Sequence, residues 1–166
     1  MSNLYNQRLA QLKKELSTEI KKRKKNKKKF TDNQQIMINF INAVTNNAIF
    51  NINGTKIILR KGTSSGGFIH ILEKHFCKNC PGEITLDDII NIDLIIQRGL
   101  KLNNIGVSNP NNIVLNYKRG NKEHNLILKE EKDNEFEILK ADFIGGYMLW
   151  FERESGPIES LIRRSI

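Results

Sequence analysis

The hydrophobic pattern of this chain changes period near residue 105, and that change restricts the fold more than any other feature of the sequence. Before it, apolar residues recur at helical spacing: Leu4, Leu9, Leu12, Leu16 and Ile20 in one segment, Ile36, Phe40, Ile41 and Val44 in the next. After it, "NIVLNYKRGNKEHNLILKEEKDNEFEILKADFIGGYMLWFER" alternates, as in Ile113, Leu115 and Tyr117 and in Leu126 and Leu128. Turn signals divide that run at Gly120-Asn121, at Lys132 to Asn134 and at Gly145-Gly146. Helices followed by a meander predict an α+β fold, with N-terminal helices packed on one face of a C-terminal four-stranded antiparallel sheet. A chain of 166 residues suits one domain. The expected division is a basic N-terminal helix or linker over 1–30 and an α+β domain over 31–166.

Local signals sharpen several elements. Thr31 or Asp32 is the expected N-cap of the second helix. Asn53-Gly54, between "IFNI" and "KIIL", predicts a tight hairpin. In "TLDDIINIDLIIQRGL", Thr85 and Asp88 form a capping-box pattern, and Gly99 stands where a left-handed C-terminal glycine would end a single helix.

Charge points to a class of partner. The net charge is +9 and the pI about 9.6, and "KKRKKNKKK" over residues 21–29 contains no apolar residue. Such a run is a solvated helix end or linker, or a contact that gains affinity by releasing counterions from a phosphate backbone. No stretch approaches the length of an apolar membrane span and no apolar signal core opens the chain, so cytoplasmic residence without a membrane partner is the expectation. Two cysteines are too few for a disulfide framework, which predicts a reduced protein.

The chemistry-bearing residues concentrate in "GGFIHILEKHF", residues 66–76. On a helix, Ile69, Leu72 and Phe76 share one face, while His70 and Lys74 lie four apart on the other and can act on one group. His75 falls at the apolar margin, as a core histidine or one aimed into a cleft. Histidine accepts and returns protons near neutral pH, so His70 and His75 are candidate acid and base. The preceding "GTSSGG" could present backbone N–H groups and Ser64 or Ser65 to a phosphate, although it lacks the lysine of a P-loop. Lys118, Arg119, Lys129 and Lys140 would complete a phosphate site if they faced the histidine helix. The alternative for "HFCKNC" is a zinc site built from His75, Cys77 and Cys80, with His124 as a chance fourth ligand. A single CxxC without a second pair is a weak zinc signal, and a redox CxxC would want a strand before it.

The segments "GGFIHILEKHF", "ITLDDIINIDLIIQRG", "NIVLNYKRG", "EHNLILKEE" and "FEILKADF" together resemble the barnase, EndoU, colicin D and RelE-like nuclease superfamily, in particular its phage and mobile-element branches. The resemblance covers about residues 55–152. It implies metal-independent cleavage of RNA, possible on tRNA, by 2′-hydroxyl attack, with no cofactor. His70 and His75 match the motif histidines and Lys74 the basic residue before the second. Lys118, Arg119, Lys129 and Lys140 are carried over on variable strand positions. The last strand has no Ser or Thr where members often have one, and Tyr147 is the candidate in its place. A toxin-like member would also have an immunity or antitoxin protein as partner. The competing expectations are a nucleic-acid-binding protein without turnover and a small zinc-stabilised interaction domain.

Overall fold

A computed structural model describes residues 3–78, 80, 82–102, 112–119, 122–132 and 135–143. The chain order is α1 (Asn3–Lys25), α2 (Asp32–Ile41), β1 (Asn47–Ile52), β2 (Thr55–Arg60), α3 (Phe68–His75), α4 (Leu86–Ile90), α5 (Ile92–Arg98), β3 (Leu100–Leu102), β4 (Asn112–Arg119), β5 (Lys122–Lys132) and β6 (Glu135–Phe143).

The architecture is α+β, but the sheet is not a four-stranded antiparallel one. It has six strands in the order β1-β2-β6-β5-β4-β3. The meander β4-β5-β6 is antiparallel as expected, whereas β2 pairs in parallel with β6, Ile57 opposite Phe136. The hairpin β1-β2 therefore joins the main sheet. Its turn residues Asn53 and Gly54 both have positive φ, 52° and 82°, the two-residue geometry whose twist matches flanking strands. The turn signals at Gly120-Asn121 and Asp133-Asn134, and the strand expected after Gly145-Gly146, lie outside the described residues.

Helices α2, α3 and α5 pack on the sheet, against β1, β6 and β4-β5 respectively, and α1 lies across α2, α3 and α4. One core unites these layers: Phe50, Leu59, Leu126, Leu128, Phe136 and Ile138 from the sheet meet Met37, Phe68, Leu72, Ile90 and Ile96 from the helices. Residues 3–25 contribute Tyr5, Leu12 and Leu16 to that same core.

Two helical expectations change. α2 starts at Thr31 with a full capping box to Gln34, but it stops at Ile41, and Val44 is 71% exposed. The N–H of Val44 donates to Asn39 O over 2.8 Å while Ala43 turns to φ 59°, closing the helix before Val44 can join its stripe. The segment after Thr85 forms two short helices, not one. The box between Thr85 and Asp88 is present, yet Asn91 donates its amide to Asp87 O (2.8 Å) and accepts from Gln34 Nε2 (2.8 Å), interrupting the run. Gly99 is not left-handed, with φ −66°. Its small size serves packing, since a Cβ there would lie 2.3 Å from Ile95 O and 3.3 Å from Leu115 Cβ.

Candidate functional site

Helix α3 brings His70 and His75 together. The rings meet edge to face with centroids 5.6 Å apart, a contact that the helical spacing of His70 and Lys74 does not announce. His70 is 9% exposed, His75 is half-buried and Lys74 is exposed in the last turn. Ser64 O lies 2.8 Å from His70 Nδ1. A carbonyl can only accept, so Nδ1 carries the proton and Nε2 carries the lone pair of the neutral ring.

The folding of the glycine-rich loop sets Ser64 O in place for that contact. Thr63 N donates to Gly66 O (2.8 Å) and Gly66 N to Thr63 O (3.2 Å), while Ser65 N donates to Thr63 Oγ1 (3.1 Å). Ile69 N donates to Lys61 O (2.9 Å), fastening the start of α3 to the beginning of the loop. Gly62 (φ 68°) and Gly67 (φ 94°) permit the reversal, and a Cβ on Gly62 would stand 2.1 Å from Gly66 O. Of the groups expected to cradle a phosphate, the N–H groups of Thr63, Ser65 and Gly66 are engaged within the loop, and Ser64 offers its carbonyl to a histidine.

Arg8 is a residue the sequence reading passed over. Its guanidinium donates to Leu72 O (2.9 Å) and to Glu73 O, covering carbonyls at the C-terminal end of α3. A cation one turn from Tyr5 and one turn from Leu12, on a stripe otherwise apolar, was the available signal. Tyr5 stacks edge to face on Phe68, the first residue of α3, and burial raises its phenol above the ordinary value.

Lys118 and Lys129 do not converge on this helix. β6 packs against α3, and Leu126 and Leu128 of β5 enter the same core as Phe136 and Ile138 of β6, so strand alternation turns Lys129 to the other face of the sheet. Lys129 is exposed there, and Lys118, also exposed, is paired with Glu123 at 3.1 Å. In backbone register Arg119 is opposite Lys122 and Lys140 opposite Ile127. Tyr147 lies outside the described residues.

The reduced-thiol expectation is overturned, because Cys77 and Cys80 are joined in a disulfide just after α3. Their sulfurs bond to each other, so in this state neither is a thiolate that could ligate a metal beside His75. Among the described residues no group of three His, Cys, Asp or Glu side chains is arranged to hold a metal. His124 lies in β5, 2% exposed, with Nε2 3.4 Å from Asp88 Oδ1 of α4. This pair lines a small apolar cavity of about 10 Å³ beside Met37, Phe68 and Ile95, room for one water.

No helix among the described residues is long and apolar enough to cross a membrane. No protein family, curated protein or solved structure matches the chain.

Proposed function

We propose that this protein is a metal-independent endoribonuclease in which His70 and His75 share the proton transfers. The observation that carries the reading is the edge-to-face histidine pair, one ring of which is held in a defined tautomer by Ser64. His70 Nε2 accepts the proton of a ribose 2′-hydroxyl, and the oxygen attacks the adjacent phosphorus. The P–O5′ bond breaks and His75, as imidazolium in the last helical turn where cations are favoured, protonates the departing 5′-oxygen. The products are a 2′,3′-cyclic phosphate and a 5′-hydroxyl, and the proton balance leaves His70 charged and His75 neutral until water restores them. Lys74, exposed in the same turn, offers charge to the phosphate as it becomes more negative. The barnase and RelE-like resemblance, carried by the α3 motif, extends this reading to a toxin-like enzyme acting on tRNA in the cytoplasm and restrained by an immunity protein.

A second reading is a nucleic-acid binder without turnover. It is favoured by the placement of Lys118 and Lys129 away from α3 and by the near-complete burial of His70. Incubating total RNA with the protein in excess EDTA separates the two. The enzyme yields fragments ending in 2′,3′-cyclic phosphate, and alanine at His70 or His75 lowers the rate by about 10² to 10⁴. Intact RNA that is nevertheless retarded on a gel establishes the binder and ends the catalytic reading.

A further inference from the structure

We propose that the corner where α1 turns into α2 is a docking site for the phosphate backbone of a nucleic acid, separate from the histidine helix and independent of whether that helix cleaves. Residues 21–29 hold eight cations, and the chain reverses within them. Asn26 N donates to Lys22 O (3.1 Å) and Lys28 N to Arg23 O (2.9 Å), while Lys27 takes φ 55°. The reversal folds Lys28 and Lys29 back beside Lys22 and Arg23 around a groove of about 380 Å³, which Asn26 and Glu19 also line.

The backbone of this reversal closes α1 as helices commonly end, with Lys27 N donating to Lys24 O (3.3 Å) and Lys28 N to Arg23 O, but such a cap calls for no cationic side chains. A left-handed residue closing a helix is ordinarily glycine or asparagine, and lysine there carries the steric penalty of a Cβ. The helix dipole favours a few cations in the last turn, not a second set folded back upon them. Glu19, the carboxylate of the groove, is taken up by Arg23 at 3.1 Å. Lys22, Lys28 and Lys29 make no ion pair among the described residues, and each is exposed.

The floor of the groove is tied to its surroundings by several contacts. Arg23 donates to Glu19 and to Gln34 Oε1 (3.3 Å) and lies 4.2 Å above the centroid of the Phe30 ring. Gln34 is in turn bonded to Asn91. The exposed ammonium groups therefore line a trough with a hydrogen-bonded guanidinium at its base, a geometry suited to a chain of phosphodiesters. Phe30 is covered by Arg23 and packed against the core, which leaves no aromatic face for base stacking. Binding at this corner reads charge and not sequence.

The test is fluorescence anisotropy with a labelled deoxyuridine strand, which has no 2′-hydroxyl to cleave, in EDTA and over a range of salt. The double variant Lys22→Gln/Lys28→Gln is compared with a control of equal charge loss, Lys56→Gln/Arg98→Gln, on β2 and α5. Two lost phosphate contacts reduce the slope of log K against log salt by about 1.4, whereas the control leaves the slope near that of the parent protein. Matching thermal melts show that both variants fold. Equal slope changes in the two variants would make the charge diffuse and overturn the site, as would an unchanged slope in the first. Loss of binding to phosphatidylserine vesicles with oligonucleotide binding intact would assign the corner to a membrane surface and also overturn it. Because the probe is uncleavable, failure of the ribonuclease reading leaves this result untouched.

Discussion

Burial raises the Asp93 carboxyl above the ordinary carboxylate range, and the hydrogen bond from Asn33 to Oδ2, nearby backbone N–H groups and the charge of Arg98 only partly offset it. Oδ1 accepts nothing among the described residues. A carboxyl whose folded pKa exceeds its unfolded value leaves the folded state binding more protons, so stability falls as pH rises from the unfolded pKa to the folded one. Above that window the ionisation penalty is complete. Asp93→Asn is therefore expected to melt at a higher temperature than the parent at neutral pH and to converge with it near pH 3. Parallel melting curves across the whole range would show that Asp93 ionises without penalty. Single residues were unevenly legible in the sequence. The cluster around α3 was visible from its histidine spacing, but a wheel cannot show that a carbonyl six residues upstream orients His70. Nor can it show that Arg8, 64 residues away from Leu72, donates to Leu72 O. Both contacts depend on where separate elements dock.

Element by element, caps were readable and interruptions were not. Thr31 with Gln34 and Thr85 with Asp88 are short-range patterns, and both form as boxes. The break at Asn91 is invisible locally, because the amide that draws Asn91 out of the helix comes from Gln34, which is 57 residues away. The loop before α3 shows the same logic. A methyl on Gly62 meets Gly66 O within the loop's own hydrogen-bonded turn, so Gly62→Ala is expected to destabilise by at least about 2 kcal/mol in urea unfolding. Cleavage should fall beyond the loss of folded protein, since the Ser64 carbonyl moves away from His70. Full activity in the folded fraction would detach the loop from the site. At the other end of α3, Arg8→Met keeps much of the side-chain volume but removes the donor to Leu72 O and Glu73 O. The expected loss is about 1–2 kcal/mol by the same measurement, reported most strongly by amide exchange in the last turn of α3.

The whole molecule joins elements that lie far apart in sequence, and the parallel pairing of β2 with β6 is the clearest instance. Hairpins announce themselves by turn residues, but a parallel pair has no local signature, which is why the hairpin and the meander read as separate units. At this scale α1 also gains a role. Arg8 touches the turn that precedes His75, and Lys22 lies fourteen residues further along the same helix, a separation of about 21 Å at 1.5 Å per residue. A helical strand rising about 3.4 Å per phosphate needs roughly six phosphates to reach from one to the other. If the groove holds the strand that the histidines cut, cleavage efficiency should climb as RNA lengthens to about that size and then level off. Lys22→Gln/Lys28→Gln should raise KM for long RNA while leaving a dinucleotide's kcat/KM unchanged, because the short substrate never reaches the groove. A variant that slows dinucleotide and long RNA alike would mean that the two basic regions act through the fold and not through one bound strand.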